Sequence, residues 1–135
     1  MSQKKVLIVD DSKLMRIIIK KILSSDDTFT VIGEAGNGIE ALAEIEKEVP
    51  DLIFLDIEMP EMDGVEALKE IRAKYSTKVI VVSSVAQMGS SRAAEVNQLG
   101  VDAIIEKPGG AVDPTLATQK GKEFIEIARK VIGKG

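Results

Sequence analysis

The chain of 135 residues carries 18 Lys and Arg against 22 Asp and Glu, a formal net charge of −4, and 44% of its residues are hydrophobic. This composition fits one globular domain over residues 1–135, and its acidic balance argues against a nucleic acid as partner. The absence of Cys, His and Trp excludes disulfides, thiolate or imidazole metal sites, Ser-His-Asp nucleophile systems and histidine phosphocarriers within this sequence.

The N-terminus leads directly into the first predicted element. Only four apolar residues, 6–9, precede Asp10, too few for the core of a signal peptide. No apolar run approaches the roughly 18 residues of a membrane-spanning helix. We therefore expect a soluble, cytoplasmic protein without membrane insertion.

Five short apolar runs recur along the chain and predict β-strands. They cover residues 6–9, 30–32, 52–55, 79–82 and 103–105. Most are continuous rather than alternating, which is typical of parallel strands covered on both faces.

The segments that separate or follow these runs have helical periodicity. The first helix follows Ser12, the fourth covers about 90–99 and stops at Gly100, and the fifth covers about 118–132. The residues predicted to face the core are Leu14, Met15, Ile18, Ile19, Ile22 and Leu23, then Ile39, Leu42, Ala43 and Ile45, then Val65, Leu68 and Ile71, then Ala93, Ala94 and Val96, and finally Phe124, Ile127, Ala128 and Val131. Residues 106–114, with two of the four prolines, predict a loop. Five strands alternating with five helices indicate an open α/β sheet.

Polar residues follow four of the predicted strands. Each alone suits an ordinary structural role, such as a helix N-cap or a turn. Because the carboxyl ends of parallel strands line one crevice, we expect these side chains to meet. They are Asp10, Asp11, Asp56, Ser83, Ser84 and Lys107.

Three carboxylates gathered at one edge repel one another unless a cation neutralises them. Mg²⁺ prefers oxygen ligands of this kind and keeps positions open for phosphate oxygens. A carboxylate beside such an ion can act as a nucleophile in phosphoryl transfer. In this interpretation Asp56 attacks, while Ser83 and Lys107 contact the phosphoryl oxygens.

Four ordered motifs together resemble the receiver domain of two-component response regulators: residues 6–12 (VLIVDDS), 55–64 (LDIEMPEMDG), 81–84 (VVSS) and 107–108 (KP). The resemblance implies a flavodoxin-like, doubly wound sheet of five parallel strands, in the order 2-1-3-4-5, with five helices. It implies Asp56 as phosphoacceptor from a histidine kinase. Asp10 and Asp11 would bind Mg²⁺ with Asp56, and Glu58 would add its backbone carbonyl.

The resemblance also implies a switch. Ser83, with Ser84 beside it, would supply the hydroxyl, Lys107 would contact the phosphoryl group, and a cis bond would precede Pro108. Ile104 occupies a position that is often aromatic in receivers. The output partner would bind the face of the fourth helix, fifth strand and fifth helix. The chain would not be an enzyme beyond its own phosphorylation and dephosphorylation.

A narrower likeness concerns residues 81–91 and 107–114, which are similar to the receiver half of the chemotaxis methylesterase. The catalytic domain of that enzyme has no counterpart here. The chain is then an excised regulatory domain or a free-standing chemotaxis receiver, and the helix closing at residues 131–135 favours the free-standing form.

Two functions of other classes remain as alternatives. A flavodoxin-like ligand or electron-transfer module is disfavoured because the first strand leads into acidic residues rather than a glycine-rich phosphate loop. A phosphohydrolase with Asp56 as nucleophile would use a second acid two residues later, where Glu58 stands.

Overall fold

The computed structural model describes residues 3–57, 64–83, 91–106 and 114–133, with side chains 91–93 and 114–120 left aside. These residues form five strands and five helices. The strands are β1 (Lys4–Val9), β2 (Phe29–Ala35), β3 (Leu52–Asp56), β4 (Lys78–Ser83) and β5 (Ala103–Glu106). The helices are α1 (Lys13–Ser24), α2 (Gly38–Lys47), α3 (Gly64–Lys74), α4 (Ser91–Leu99) and α5 (Pro114–Val131).

All five strands pair in parallel in the order β2-β1-β3-β4-β5. This confirms the predicted flavodoxin-like sheet. The β1–β2 ladder contains one irregularity: Val6 pairs with Val31, whereas Leu7 pairs with Gly33. As a result Ile32 is an extra residue in β2.

The central strands are buried on both faces, which explains their continuous apolar sequences. Alternate residues of β1 and β3 enter two separate apolar layers. One layer lies under α2, α3 and α4, and the other lies under α1 and α5. In the second layer the rings of Phe54 and Phe124 stack with centroids 4.7 Å apart.

Helix starts follow the local sequence. The Ser12 side chain accepts a hydrogen bond from the Met15 amide at 3.2 Å, and Asn37 accepts from the Glu40 amide at 2.9 Å. Each is an N-cap that satisfies a backbone N–H at the first turn. Gly100, at φ +90°, follows the last residue of α4, a backbone conformation that glycine adopts without a Cβ penalty.

Four residues predicted to face the core are exposed instead. Leu14 is 67% exposed and Ile39 is 54% exposed, and Ala43 and Ala94 are also at the surface. Leu14 and Ile39 lie in the first turns of α1 and α2, whereas Ile19 and Ile45, deeper in those helices, are fully buried. The buried face of these helices is therefore narrower than apolar periodicity predicts.

The fifth helix begins earlier than predicted, at Pro114 rather than near Thr118. Proline suits the first turn of a helix because its missing N–H would have no partner there. Residues 107–113 of the predicted loop lie outside the described residues.

No helix in the described part of the chain combines sufficient length with sufficient apolar character to cross a bilayer.

Candidate functional site

The carboxyl ends of β1 and β3 bring three acidic residues together. Val9 pairs with Leu55, so the following residues, Asp10 and Asp56, lie at the same sheet edge. Carboxylate oxygens of Asp10, Asp11 and Asp56 all lie within 4.8 Å of one another. Asp10 and Asp56 are 1% and 2% exposed, whereas Asp11 is exposed. The acidic cluster is therefore open to solvent on one side only.

The turn after β1 is held by hydrogen bonds that fix Asp10. Its amide donates to the Ala35 carbonyl at 3.0 Å, which ties it to the end of β2. Its Oδ1 accepts from the Ser12 amide at 2.9 Å. The same short segment thus orients one carboxylate of the cluster and caps α1.

Arg16 is a further residue of this edge that the sequence analysis missed. Its Nη1 donates to the Asp10 backbone carbonyl at 2.6 Å, and its Nε donates to Glu34 Oε1 at 3.1 Å. The guanidinium clamps the ends of β1 and β2 together. Side chains in the first turns of a helix point back toward its N-terminus, which places Arg16 near this edge, but the sequence does not show which oxygen atoms its guanidinium meets.

Gly64 packs α3 directly against the strand end that carries Asp56. A Cβ at this position would lie 2.1 Å from the Asp56 carbonyl oxygen and 2.5 Å from the Ile57 Cα. The Gly64 amide also donates to the Ile57 carbonyl at 3.3 Å. Only glycine permits this approach, so the backbone of Asp56 depends on the residue that begins α3.

Ser83 ends β4 and is 1% exposed. Its neighbour Val82 pairs with Asp56, which places Ser83 at the sheet edge that carries the acidic cluster. Ser83 also pairs with Glu106, the last residue of β5. Ile104 is partly buried and packs against the apolar layer that includes Val96 of α4. The remaining predicted site residues, Glu58, Ser84, Lys107 and Pro108, lie outside the described residues.

The acidic cluster fits the predicted Mg²⁺ ion in its donor chemistry. All three residues offer hard carboxylate oxygens, which are the protein ligands that Mg²⁺ accepts. Two of the carboxylates are buried, where like charges destabilise one another more strongly than in water. Because Asp11 is exposed, the cluster is accessible to an ion from solvent on that side.

The family comparison matches most of the chain. The model of the response regulator receiver domain covers residues 6–126. The chain belongs to this family. The predicted resemblance to receiver domains is thereby confirmed.

The curated relatives of this receiver are longer proteins. It is 43% identical over 112 residues to protein-glutamate methylesterase/protein-glutamine glutaminase 1 of Syntrophomonas wolfei, a match that covers 83% of this chain and 32% of that protein. A methylesterase of Thermotoga maritima is 39% identical over 95% of this chain and 37% of its own length. The chain spans about a third of the length of these relatives, in their receiver part.

Solved structures support the same family and fold. The response regulator domain of Thermotoga maritima CheB superimposes with a TM-score of 0.84 at 38% identity, covering 97% of both chains. CheY6 of R. sphaeroides, solved in complex with the P1 domain of CheA3, gives a TM-score of 0.80 at 38% identity over 98% of both chains. This receiver is therefore similar to two kinds of chemotaxis protein.

Proposed function

We propose that this chain is a phosphorylation-activated receiver in chemotaxis-type two-component signalling, with Asp56 as its phosphoacceptor. The observation that carries the proposal is the gathering of Asp10, Asp11 and Asp56 within 4.8 Å at the end of β1 and β3 in a member of the receiver family. Three carboxylates this close repel one another, and a bound Mg²⁺ ion would offset that repulsion with oxygen ligands of the kind it prefers.

The proposed donor is a histidine kinase. A carboxylate oxygen of Asp56 attacks the phosphorus of a phosphohistidine, the new O–P bond forms as the P–N bond breaks, and the imidazole leaves and takes up a proton. The product is an acyl phosphate on Asp56. Burial of Asp56 at 2% exposure restricts the access of water to this labile bond.

The metal site in this proposal consists of the carboxylates of Asp10, Asp11 and Asp56 together with the backbone carbonyl of Glu58. Bound Mg²⁺ would offset the negative charge of the carboxylates and of the phosphoryl oxygens. Lys107 would contact a phosphoryl oxygen from the end of β5. Asp10 is oriented for its role by the Ser12 amide.

The proposed switch is the movement of Ser83 toward the phosphoryl group, followed by a shift in the face formed by α4, β5 and α5. Ile104 carries no ring that could move between buried and exposed positions. Ser83 and Ser84 would therefore act through the segment that joins β4 to α4. The output partner would be a protein that binds this face, and the chain would catalyse no reaction on other molecules.

Exposed apolar residues beside the acidic cluster are consistent with a protein donor. Leu14 and Ile17 of α1 are 67% and 50% exposed and follow Asp11 within two helical turns. CheY6, a receiver 38% identical to this one, has been solved in complex with the P1 domain of CheA3. A kinase domain docked on α1 would present its phosphohistidine to Asp56.

The narrower assignment concerns the protein in which the receiver works. Methylesterase relatives and the CheB response regulator domain support the regulatory domain of a chemotaxis methylesterase. CheY6 is also 38% identical to this chain, and the match covers 98% of the CheY6 chain, which supports a free-standing receiver. In either case residues 1–135 would act as one receiver domain.

A phosphodonor assay tests the proposal. The chain is incubated with acetyl phosphate and Mg²⁺, and its intact mass is measured. We expect one added phosphoryl group in the wild type and in Asp51→Asn, which alters an exposed carboxylate at the opposite sheet edge, and none in Asp56→Asn. An unchanged mass for the wild type, or phosphorylation of Asp56→Asn, would contradict the assignment. Rapid hydrolysis of unrelated phosphate esters would instead support a phosphohydrolase.

A further inference from the structure

A groove of about 780 Å³ runs between the C-terminal half of α1 and the second half of α5. Its floor is apolar and consists of Ile18, Ile22, Gly121 and Ile125. The three isoleucines are only partly buried, so the groove exposes apolar side chains that the fold does not cover.

The groove is separate from the acidic cluster. Helix α1 runs away from the edge that carries Asp11, and Ile22 lies about 16 Å along the helix from it at 1.5 Å per residue. The groove therefore lies apart from the edge that carries Asp56.

Gly121 keeps the groove open. A glycine inside a helix is less favourable than alanine, because it loses more backbone freedom when the helix forms. A Cβ at position 121 would lie 3.7 Å from Ile22 Cγ1, an ordinary contact. The chain itself therefore has room for a side chain at position 121. Because Gly121 carries none, the backbone of another molecule can approach the helix closely at this point.

The rim of the groove is positively charged in an acidic protein. Lys21 projects from α1 and Lys122 from α5, and neither forms an ion pair within the described part of the chain. At one end Arg129 is bound to Asp26 at 2.9 Å, so these two charges neutralise each other. Glu126 is the remaining acid of the rim, which leaves an excess of one positive charge.

We propose that this groove binds an amphipathic helix of a partner protein, with its apolar stripe on the isoleucine floor and acidic residues beside Lys21 and Lys122. The side-chain ridges of a third helix can pack into the groove between α1 and α5, as helices commonly pack against one another. Gly121 permits close approach at the crossing point. The proposal is independent of phosphorylation at Asp56.

Two synthetic helical peptides of about 16 residues test the charge requirement. Both carry the same leucine stripe, flanked by glutamates in one and by lysines in the other. Binding to the full ¹⁵N-labelled chain is followed by amide chemical shifts. We expect the glutamate peptide to shift Ile22, Gly121 and Ile125 and to bind at least roughly tenfold more tightly than the lysine peptide.

Three variants make the test specific. The double variant Lys21→Glu, Lys122→Glu should reverse the peptide preference. Gly121→Leu should fill the groove and weaken binding at least roughly tenfold while the helical circular dichroism is retained. Glu123→Leu, which adds the same side chain at an exposed position of α5, should bind as the wild type does.

Several results would overturn the proposal. Equal affinity for the two peptides would show that the lysines of the rim do not select an acidic helix. Unchanged binding by Gly121→Leu would show that the peptide does not bind in the groove. Shifts centred on Leu14 and Ile17 would place the peptide at the other end of α1. Self-association of the wild type in analytical ultracentrifugation that Gly121→Leu abolishes would assign the groove to a second copy of the chain instead.

Discussion

The two edges of the sheet use charge in opposite ways. At the carboxyl edge, Asp10, Asp11 and Asp56 carry like charges within 4.8 Å, and two of them are buried. At the amino edge, opposite charges are paired at the surface. The contrast distinguishes the edge of the proposed phosphorylation site from the edge where charges are paired within the chain.

Asp102 lies at the amino edge, just before β5. Its carboxylate accepts a hydrogen bond from the Val79 amide at 2.8 Å and lies 3.3 Å from the Arg72 guanidinium and 3.8 Å from the Lys78 ammonium. Farther along the same edge, at β1, the Lys5 ammonium lies 2.9 Å from Glu48, and this hydrogen-bonded pairing raises the pKa of Lys5. Such exposed pairs contribute little to stability. The amino edge therefore contributes little to stability through its ion pairs, whereas the carboxyl edge brings like charges together.

The largest expected effect comes from crowding the backbone of the carboxyl edge. In Gly64→Ala the new methyl group would collide with the Asp56 carbonyl, so we expect a loss of about 2–3 kcal/mol in the free energy of unfolding. The matched change Gly121→Ala has room and improves helix propensity, so it should gain up to about 1 kcal/mol. Urea denaturation measures both, and equal effects would contradict the close approach at Gly64.

The second effect concerns the clamp at the same edge. Arg16→Gln removes a charged hydrogen bond to the Asp10 carbonyl, and we expect it to lower stability by roughly 2 kcal/mol. Lys20→Gln is the control, because Lys20 is more exposed and lies 3.6 Å from the same Glu34. It should cost less than about 0.5 kcal/mol. If the two variants unfold at the same urea concentration, the clamp does not hold the edge.

The third effect is the response to the ion. Mg²⁺ at about ten times its Kd should stabilise the wild type by roughly 1.4 kcal/mol, which raises Tm by about 4 °C. Asp11→Asn removes an exposed ligand of the acidic cluster and should lose most of this shift in a thermal melt. Asp51→Asn at the amino edge should keep it. A full shift in Asp11→Asn would show that the ion binds elsewhere.

The smallest effect is a pH dependence at the amino edge. Hydrogen bonds from Thr28, aided by Arg129, lower the pKa of Asp26 below its ordinary value. A carboxyl whose pKa is lowered by folding stabilises the protein above its unfolded pKa of about 3.9, and this contribution is lost as the pH falls through the folded value. We therefore expect wild type to lose more stability than Asp26→Asn in urea titrations between about pH 5 and pH 2.

The neighbouring substitution Asp27→Asn controls for the loss of one carboxylate, because Asp27 is exposed. It should follow the wild-type pH profile. Parallel profiles for wild type and Asp26→Asn would mean that the hydrogen bonds from Thr28 and the contact with Arg129 do not lower the pKa of Asp26 in solution.

The sequence predicts the strands and the acidic cluster for one shared reason. Buried parallel strands need continuous apolar runs, and the residue after each run must reach the same edge. Residues 52–55 therefore predict both β3 and the position of Asp56. The exposure of residues near helix ends is not predicted in this way, because periodicity assigns Leu14 and Ile19 to the same apolar face although only Ile19 is buried.

Contacts that depend on reach and close approach could not be predicted from sequence. Arg16 has a long flexible side chain, and whether it meets a carboxylate or a carbonyl depends on how α1 sits on the sheet. Gly64 matters because α3 approaches Asp56, which is visible only once the helix is placed. The roles assigned to Ser83 and Lys107 stay predictions.

The irregularity between β1 and β2 is a place where related chains could differ in length by one residue. Ile32 is the residue of β2 that has no partner in β1, and Glu34 after it lies opposite Ile8 and within reach of Arg16. Deletion of Ile32 would restore an even ladder and leave Gly33 and Glu34 with their present partners. A change of one residue in the length of β2 at this point would thus keep both the charge beside the acidic cluster and every aspartate in place.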